Sequence, residues 1–208
     1  MLNRVTPFGE IADLPLRGTL MGNRGDLHHP KGVRPIVWRT RRWIACTLNS
    51  LSGRKVPLNE AGRYTPLFFT DETVAFAAGH RPCAMCRQQD FERFREALKR
   101  GSGISKLDFL PAEAIDRILH SGRLAGTAQR TFLEKVGALP DGSFVKQSGR
   151  PDLALLLWRG FLHPWSTSGY GPPTSIASHQ LVTVLTPQPI VSALREGYAP
   201  MTLLTVRA

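Results

Sequence analysis

The stretch that decides how this chain folds is Gly79-His80-Arg81-Pro82-Cys83-Ala84-Met85-Cys86-Arg87. Two cysteine thiolates separated by two residues, at a turn that enters a helix, can both reach one tetrahedral zinc ion at about 2.3 Å. Thioredoxin-like redox pairs share this spacing, but they follow a strand in a βαβ unit, whereas this pair follows a predicted helix and a glycine. The sequence therefore favours a metal site over a redox pair at Cys83 and Cys86.

The remaining zinc ligands must come from outside the Cys-x-x-Cys pair, because a structural zinc site takes four. Cys46 is the only other cysteine and ends a predicted strand. His80 lies three residues before Cys83, and His28 or His29 are the alternative donors. Cys46 as a small buried apolar residue and His80 as a partly buried turn histidine are the competing interpretations. We predict a closed structural zinc site formed by Cys46, His80, Cys83 and Cys86.

Charge gives the first indication of a partner. The chain has 208 residues, 27 Lys and Arg against 16 Asp and Glu, and a net charge of +11. Arginine supplies 21 of the 27, and its planar, forked guanidinium matches phosphate. Residues 27–59 hold seven basic side chains and no acidic one, which favours phosphate binding over a merely solvated basic face. The predicted phosphate contacts are Arg34, Arg39, Arg41, Arg42, Arg54, Arg81 and Arg87.

The hydrophobic pattern changes twice, from β-rich to helical near residue 71 and back to β-rich after Pro140. We predict helices over 71–78, 82–99, 111–120, 128–136 and 189–196. We predict strands over 36–38, 43–48, 67–70, 143–145, 153–158, 181–185 and 203–206, with a hairpin turn at Asp141-Gly142. The predicted fold class is α+β: an N-terminal β-rich segment with a zinc knuckle, central short helices and a C-terminal β-rich half. The division falls between residues 1–100 and 101–208, unless both parts form one domain.

Residues 68–87, Phe68-Phe69-Thr70-Asp71-Glu72-Thr73-Val74-Ala75-Phe76-Ala77-Ala78-Gly79-His80-Arg81-Pro82-Cys83-Ala84-Met85-Cys86-Arg87, resemble part of a known family. The family is the Ada-type DNA repair proteins, and the similar part is the second half of their zinc-binding domain. There a strand is followed by a short helix and then Ala-Gly-aromatic-Arg-Pro-Cys-x-x-Cys. The resemblance implies zinc ligation by Cys83 and Cys86 and contact with a DNA backbone. The family's upstream Cys-x3-Cys is absent here, and His80 replaces the aromatic residue.

These observations predict a zinc-containing nucleic-acid-binding protein, with DNA as the favoured partner. One alternative is a repair or restriction-like enzyme acting on DNA or RNA. Asp116 and His120, one helical turn apart, would be its acid–base pair and Arg123 would hold a phosphate, although a surface ion pair explains the same spacing. A zinc nucleobase deaminase is excluded because the chain has no His-x-Glu or Cys-x-Glu. The second alternative is a zinc protein-interaction module.

Two further features concern location. The longest apolar run is only six residues, 153–158, so we predict no membrane-spanning segment. The N-terminus lacks the apolar core of a signal peptide, and three cysteines are an odd number for a secreted disulfide scaffold. We therefore expect a cytoplasmic protein.

Overall fold

The computed structural model describes residues 3–27, 37–48, 64–105 and 108–204. The predicted site residues His28, His29, Arg34 and Arg54 lie outside this part of the chain. Within it the predicted α+β class is confirmed, because a β-rich N-terminal part, a mainly helical middle and a β-rich C-terminal part follow one another along the chain. No helix of the described residues is both long and apolar enough to cross a membrane.

In the described residues, the N-terminal sheet has six strands in the order β2-β1-β5-β3-β4-β6. Their bounds are β1 Arg4–Val5, β2 Ile11–Ala12, β3 Leu20–Asn23, β4 Ile44–Thr47, β5 Leu67–Phe69 and β6 Arg81–Pro82. Strand β3 runs antiparallel to β4 and β5, whereas β6 lies parallel to β4 at the sheet edge. The residues at 37–38, predicted as strand, are irregular. This sheet positions two of the cysteines, since β4 contains Cys46 and β6 leads into Cys83.

The described residues form four α-helices, three in the middle of the chain and one near its C-terminal end. They are α1 Glu72–Ala77, α2 Gln88–Gly101, α3 Ala112–Arg123 and α4 Gln188–Arg195. Asp71 caps α1, because its Oδ1 accepts the N–H of Val74 at 3.1 Å. Helix α2 begins six residues later than predicted. Pro82 belongs to β6, where the N–H groups of its neighbours Arg81 and Cys83 donate to Trp43 and Ala45, so the missing proline N–H costs no hydrogen bond.

The C-terminal sheet also has six strands, in the order β13-β12-β11-β10-β14-β9, and a two-stranded ribbon precedes it. The ribbon is β7 Leu124–Ala125 with β8 Ala128–Gln129. The sheet contains β9 Phe132–Lys135, β10 Phe144–Gln147, β11 Arg150–Trp158, β12 Phe161–Ser166, β13 Gly169–Tyr170 and β14 Leu181–Val184. The turn of the β10–β11 hairpin lies at 148–149, not at Asp141-Gly142.

Two predicted elements of this half are wrong. Residues 128–129 and 132–135 of the predicted helix 128–136 are strand, because β8 pairs with β7 and β9 pairs with β14 along its whole length. That tertiary pairing overrides the local helical pattern. Leu203 and Leu204, predicted as strand, form a turn instead. A hydrogen bond from the N–H of Leu203 to Asp71 Oδ2, at 3.0 Å, holds this turn in place.

The two sheets share a core. One cluster of buried residues joins Val5, Leu20 and Phe69 of the first sheet to Phe144 and Leu156 of the second. A second cluster packs α2, α3 and α4 together around Phe94 and Tyr198. Residues from both sides of residue 100 are therefore buried against each other.

Buried carboxylates reinforce this packing. Asp71 Oδ2 accepts hydrogen bonds from Tyr170 and Thr202, and Glu72 accepts from Tyr198 and from the N–H of Met201. The short helix α1 is thus bonded to the chain's last 40 or so residues, roughly one hundred positions away.

Candidate metal centre

The pairing of β4 with β6 brings two cysteines side by side. Ile44 is opposite Arg81 and Ala45 is opposite Pro82, so the next residues along the two parallel strands are Cys46 and Cys83. The N–H of Cys83 donates to Ala45 O at 3.0 Å, which holds the end of β6 against β4. Backbone register, and not proximity in the sequence, brings Cys46 to the Cys-x-x-Cys pair.

The turn after β6 brings the third cysteine into the group. The N–H of Arg87 donates to Cys83 O at 3.0 Å, so residues 83–87 form one turn before α2 begins. The Sγ atoms of Cys46, Cys83 and Cys86 all lie within 4.8 Å of one another. Two sulfur ligands of a tetrahedral zinc, each at about 2.3 Å, are about 3.8 Å apart. The three cysteines could therefore hold a metal ion with little movement.

The electrostatics of the group favour a thiolate at Cys83. A hydrogen bond from the Cys46 thiol lowers the pKa of Cys83 to about 5, and the N–H groups of Cys86 and Met85 contribute although burial opposes them. The pKa of Cys46 is raised, first by that same hydrogen bond and then by burial. A preformed thiolate is the form that ligates metal.

His80 does not join the three cysteines, contrary to the predicted ligand set. Its ring is completely buried between Trp43 and Phe69, with centroid distances of 5.3 and 4.6 Å. Its Nε2 accepts a hydrogen bond from Arg24 Nε at 3.4 Å. The physical reason is that Gly79, at a φ of +81°, turns the chain so that the His80 side chain enters the core. Within the described residues no other His, Cys, Asp or Glu joins the group.

The seven arginines predicted to contact phosphate divide into three sets. Arg34 and Arg54 lie outside the described residues. Arg81 and Arg87 are buried and held in ion pairs, Arg81 with Asp116, and Arg87 with Glu72 and Asp90, so they are not surface contacts. Arg39, Arg41 and Arg42 are exposed.

An open groove of about 700 Å³ runs beside the metal centre, and we call it the arginine groove. Arg41, Arg42 and Arg117 line it together with Cys83 and Met85. Met85 is 80% exposed between the two cysteines of the motif. Glu113 is an acidic residue of the groove wall, and Asp116 contributes to its floor but is paired with Arg81. The exposed charge of the groove is therefore predominantly positive.

Asp116 and His120 do not form the predicted acid–base pair. Both Asp116 oxygens accept hydrogen bonds from Arg81, at 2.8 and 3.0 Å. His120 instead lies edge-on to Trp38, with ring centroids 4.5 Å apart, and its Nδ1 is 3.5 Å from Arg123 Nη2. Burial and the charges of Arg123 and Arg41 lower the pKa of His120. This shift is opposite to the rise that a neighbouring carboxylate would cause.

Sequence reasoning missed a second cationic cluster, formed by Arg24, Arg123 and Trp43. The two guanidinium carbons lie 4.0 and 4.2 Å from the Trp43 ring centroid. Arg24 follows β3 with no motif around it, so no local signal marks it. Arg123 was considered only as a phosphate contact beside His120, whereas it is buried and donates to the carbonyls of Gly79 and Arg41.

The chain matches no protein-family model, no curated protein and no solved structure.

Proposed function

We propose that this protein is a zinc-containing nucleic-acid-binding protein that docks DNA in the arginine groove. The observation that carries the proposal is the position of Arg41, Arg42 and Arg117, whose exposed side chains line one groove with the candidate metal ligand Cys83. Guanidinium groups are planar, forked donors that pair with the phosphates of a nucleic-acid backbone. The net charge of +11 supplies a long-range attraction in the same direction.

Zinc is the metal that the donor set favours. Three thiol ligands are soft donors, which suit zinc better than magnesium or calcium. Cys46, Cys83 and Cys86 would hold it, and the bound ion would supply a structural cross-link between β4, β6 and the turn before α2. Those elements form one wall of the arginine groove, so the metal would keep the groove in shape.

The residues of the groove would make different contacts with the nucleic acid. Arg41, Arg42 and Arg117 would contact phosphates, while the exposed thioether of Met85 offers an apolar surface to a sugar or base edge. Glu113 would disfavour phosphate at its own position and so restrict how the backbone lies in the groove. Arg39 is exposed outside the groove lining and would add to the general attraction.

The test is Arg41→Ala combined with Arg42→Ala, measured by fluorescence anisotropy with labelled duplex DNA, single-stranded DNA and RNA. Each phosphate contact to duplex DNA contributes about −0.9 to the slope of log K against log salt. The double variant should therefore make this slope less negative by about 1.8. Because both side chains are exposed, the melting temperature should stay unchanged. The matched control is Arg150→Ala combined with Arg159→Ala, which removes the same charge from exposed positions outside the groove.

Wild-type binding to all three nucleic acids that is weak and independent of salt would refute the proposal and favour a protein-interaction module. Equal loss of affinity in the groove variant and the control would show that only net charge matters, which also refutes the groove as the docking site. The enzyme alternative has no support from Asp116, because that carboxylate is bound to Arg81.

A further inference from the structure

A second cavity, of about 460 Å³, lies on the Trp43 side of the molecule, and none of the residues that line the arginine groove lines it. Its walls are mainly apolar and come from Phe8, Ile11, Val37, Trp43, Ala77, Ala78 and Leu124. Arg24 and Arg123 are its two cationic residues. A mostly apolar cavity of this size with a few polar groups is typical of a small-molecule site. We call it the Trp43 cavity.

The two arginines of the Trp43 cavity are buried, and no carboxylate of the described residues forms an ion pair with either of them. Arg24 is 1% exposed and Arg123 is 2% exposed. In the described part of the chain no ion pair joins either guanidinium to a carboxylate, and Asp116, which attracts Arg123, already holds Arg81. Glu10 lies at the exposed rim of the cavity. Burial lowers the pKa of Arg24 and of Arg123 to about 9, so both remain charged at neutral pH.

Among the described residues, the hydrogen bonds of Arg24 leave one nitrogen of its guanidinium without a partner. Its Nε donates to His80 Nε2 and its Nη1 donates to Gly9 O at 3.1 Å. Its Nη2 is buried and has no hydrogen-bond partner among the described residues. A Cβ added at Gly9, on the cavity wall, would meet nothing closer than this Nη2 at 4.0 Å. The unpaired charged donor therefore lies next to the cavity wall at Gly9.

A buried charge without a counter-charge or a full set of hydrogen bonds is costly. Two such guanidinium groups next to one indole ring cost more, since they also repel each other. An oxyanion that accepts from Arg24 Nη2 would supply the missing hydrogen bond and the missing negative charge together. We propose that the Trp43 cavity binds a small organic anion, whose phosphate or carboxylate group lies at Arg24 Nη2 and whose flat apolar body packs against the apolar walls.

This site goes beyond the proposed nucleic-acid function and does not depend on it. The experiment uses the purified full-length protein and four probes, namely inorganic phosphate, phenyl phosphate, benzoate and the neutral benzamide. Thermal shift and isothermal titration calorimetry are recorded against sodium chloride at the same ionic strength. We expect phenyl phosphate or benzoate to raise the melting temperature with increasing concentration, and benzamide to have no effect. Which of the two anions binds more tightly distinguishes a phosphate from a carboxylate ligand.

The chain offers a matched pair of variants for this test. Ala128 and Ala125 are paired across the β7–β8 ribbon and both are exposed, but only Ala128 lines the cavity. Ala128→Trp should block the cavity and weaken anion binding by at least about tenfold, whereas Ala125→Trp should leave it unchanged. Arg24→Met should abolish anion binding as well. Arg41→Ala with Arg42→Ala should retain it, which separates this site from the arginine groove.

Three results would overturn the proposal. The first is no stabilisation by any of the anions beyond that of chloride. The second is equal stabilisation by benzamide, since the anionic group would then be unnecessary. The third is undiminished binding in Ala128→Trp, because the anion would then lie elsewhere. The Ala128 and Ala125 variants keep the test decisive even if Arg24→Met does not fold.

Discussion

Arg81 and Asp116 form a buried two-point ion pair, in which Arg81 Nε lies 2.8 Å from Asp116 Oδ1 and Nη2 lies 3.0 Å from Oδ2. The pair connects β6, the strand that leads into Cys83, to the middle of α3. Forked pairing of this kind fixes geometry as well as charge. The pair orients the strand next to the metal centre. Because both side chains are buried in it, Arg81 is not a surface phosphate contact and Asp116 is not the acid–base partner of His120.

Asp116→Asn should destabilise the protein strongly. It leaves the Arg81 guanidinium buried without its counter-charge, and breaking a buried pair in this way costs about 3–5 kcal/mol in the free energy of unfolding. Urea denaturation measures the change. Glu113→Gln on the same helix is the control, because Glu113 is exposed and should change stability by less than about 0.5 kcal/mol. If Asp116→Asn is as stable as the control, the ion pair does not contribute the expected free energy to folding.

The three cysteines should bind one metal ion per chain, and elemental analysis of the purified protein should identify it as zinc. Cys83→Ser should lose the metal and lower the free energy of unfolding by about 4 kcal/mol or more, because metal-binding energy is also folding energy. Met85→Ala is the control, since Met85 lies in the same turn and points to solvent. A metal-free wild-type protein that is fully folded would refute the site.

Gly79→Ala should be much more harmful than Gly160→Ala. Both glycines have a left-handed φ, +81° and +78°, so both substitutions incur about 1–2 kcal/mol of backbone strain. A Cβ at Gly79 would also lie 2.7 Å from Arg123 Cδ, whereas a Cβ at Gly160 meets nothing within 4 Å. We therefore expect a further loss of about 1–3 kcal/mol at Gly79 alone, measured by chemical denaturation. Equal effects at the two positions would contradict the close contact with Arg123.

His80 should make the free energy of unfolding depend on pH below about 6.5, which is the ordinary pKa of histidine. Burial, and then the charges of Arg24 and Arg123, lower its pKa in the folded protein, so the unfolded chain takes up the proton first as the pH falls. Stability is therefore complete above about pH 6.5 and declines by up to about 1.4 kcal/mol per pH unit below it.

The comparison for this prediction is His80→Phe, which keeps a ring against Phe69 and Trp43 but cannot titrate. The wild type should lose stability more steeply than the variant between pH 6.5 and 5.5, with metal content followed in the same samples. Parallel curves for the two proteins would show that His80 does not cause the pH dependence.

Features that depend on neighbouring residues could be predicted from the sequence. The Cys-x-x-Cys spacing marks Cys83 and Cys86. Changes in hydrophobic period locate α1, α3 and α4, and the strands β4, β5, β10, β11 and β14, which are fewer than half of the strands described in the two sheets. Helix α4 was predicted within a residue at each end, because Pro189 near its start and Gly197 after its end are local signals. The start of α2 was missed, because Pro82 fits the first turn of a helix as well as an edge strand.

The tertiary structure decided which distant residues meet. Cys46 reaches Cys83 because β4 and β6 pair in parallel register, and residues 132–135 are strand because β14 is their partner. The sequence by itself determined the α+β class, the basic charge and a cysteine pair suited to metal, since each is a property of composition or local spacing. Only the fold decided which charges are exposed on the arginine groove and which are buried beside Trp43. The physical reason is that burial depends on packing between segments far apart in the chain, and a buried charge must be neutralised by whichever group the fold places beside it.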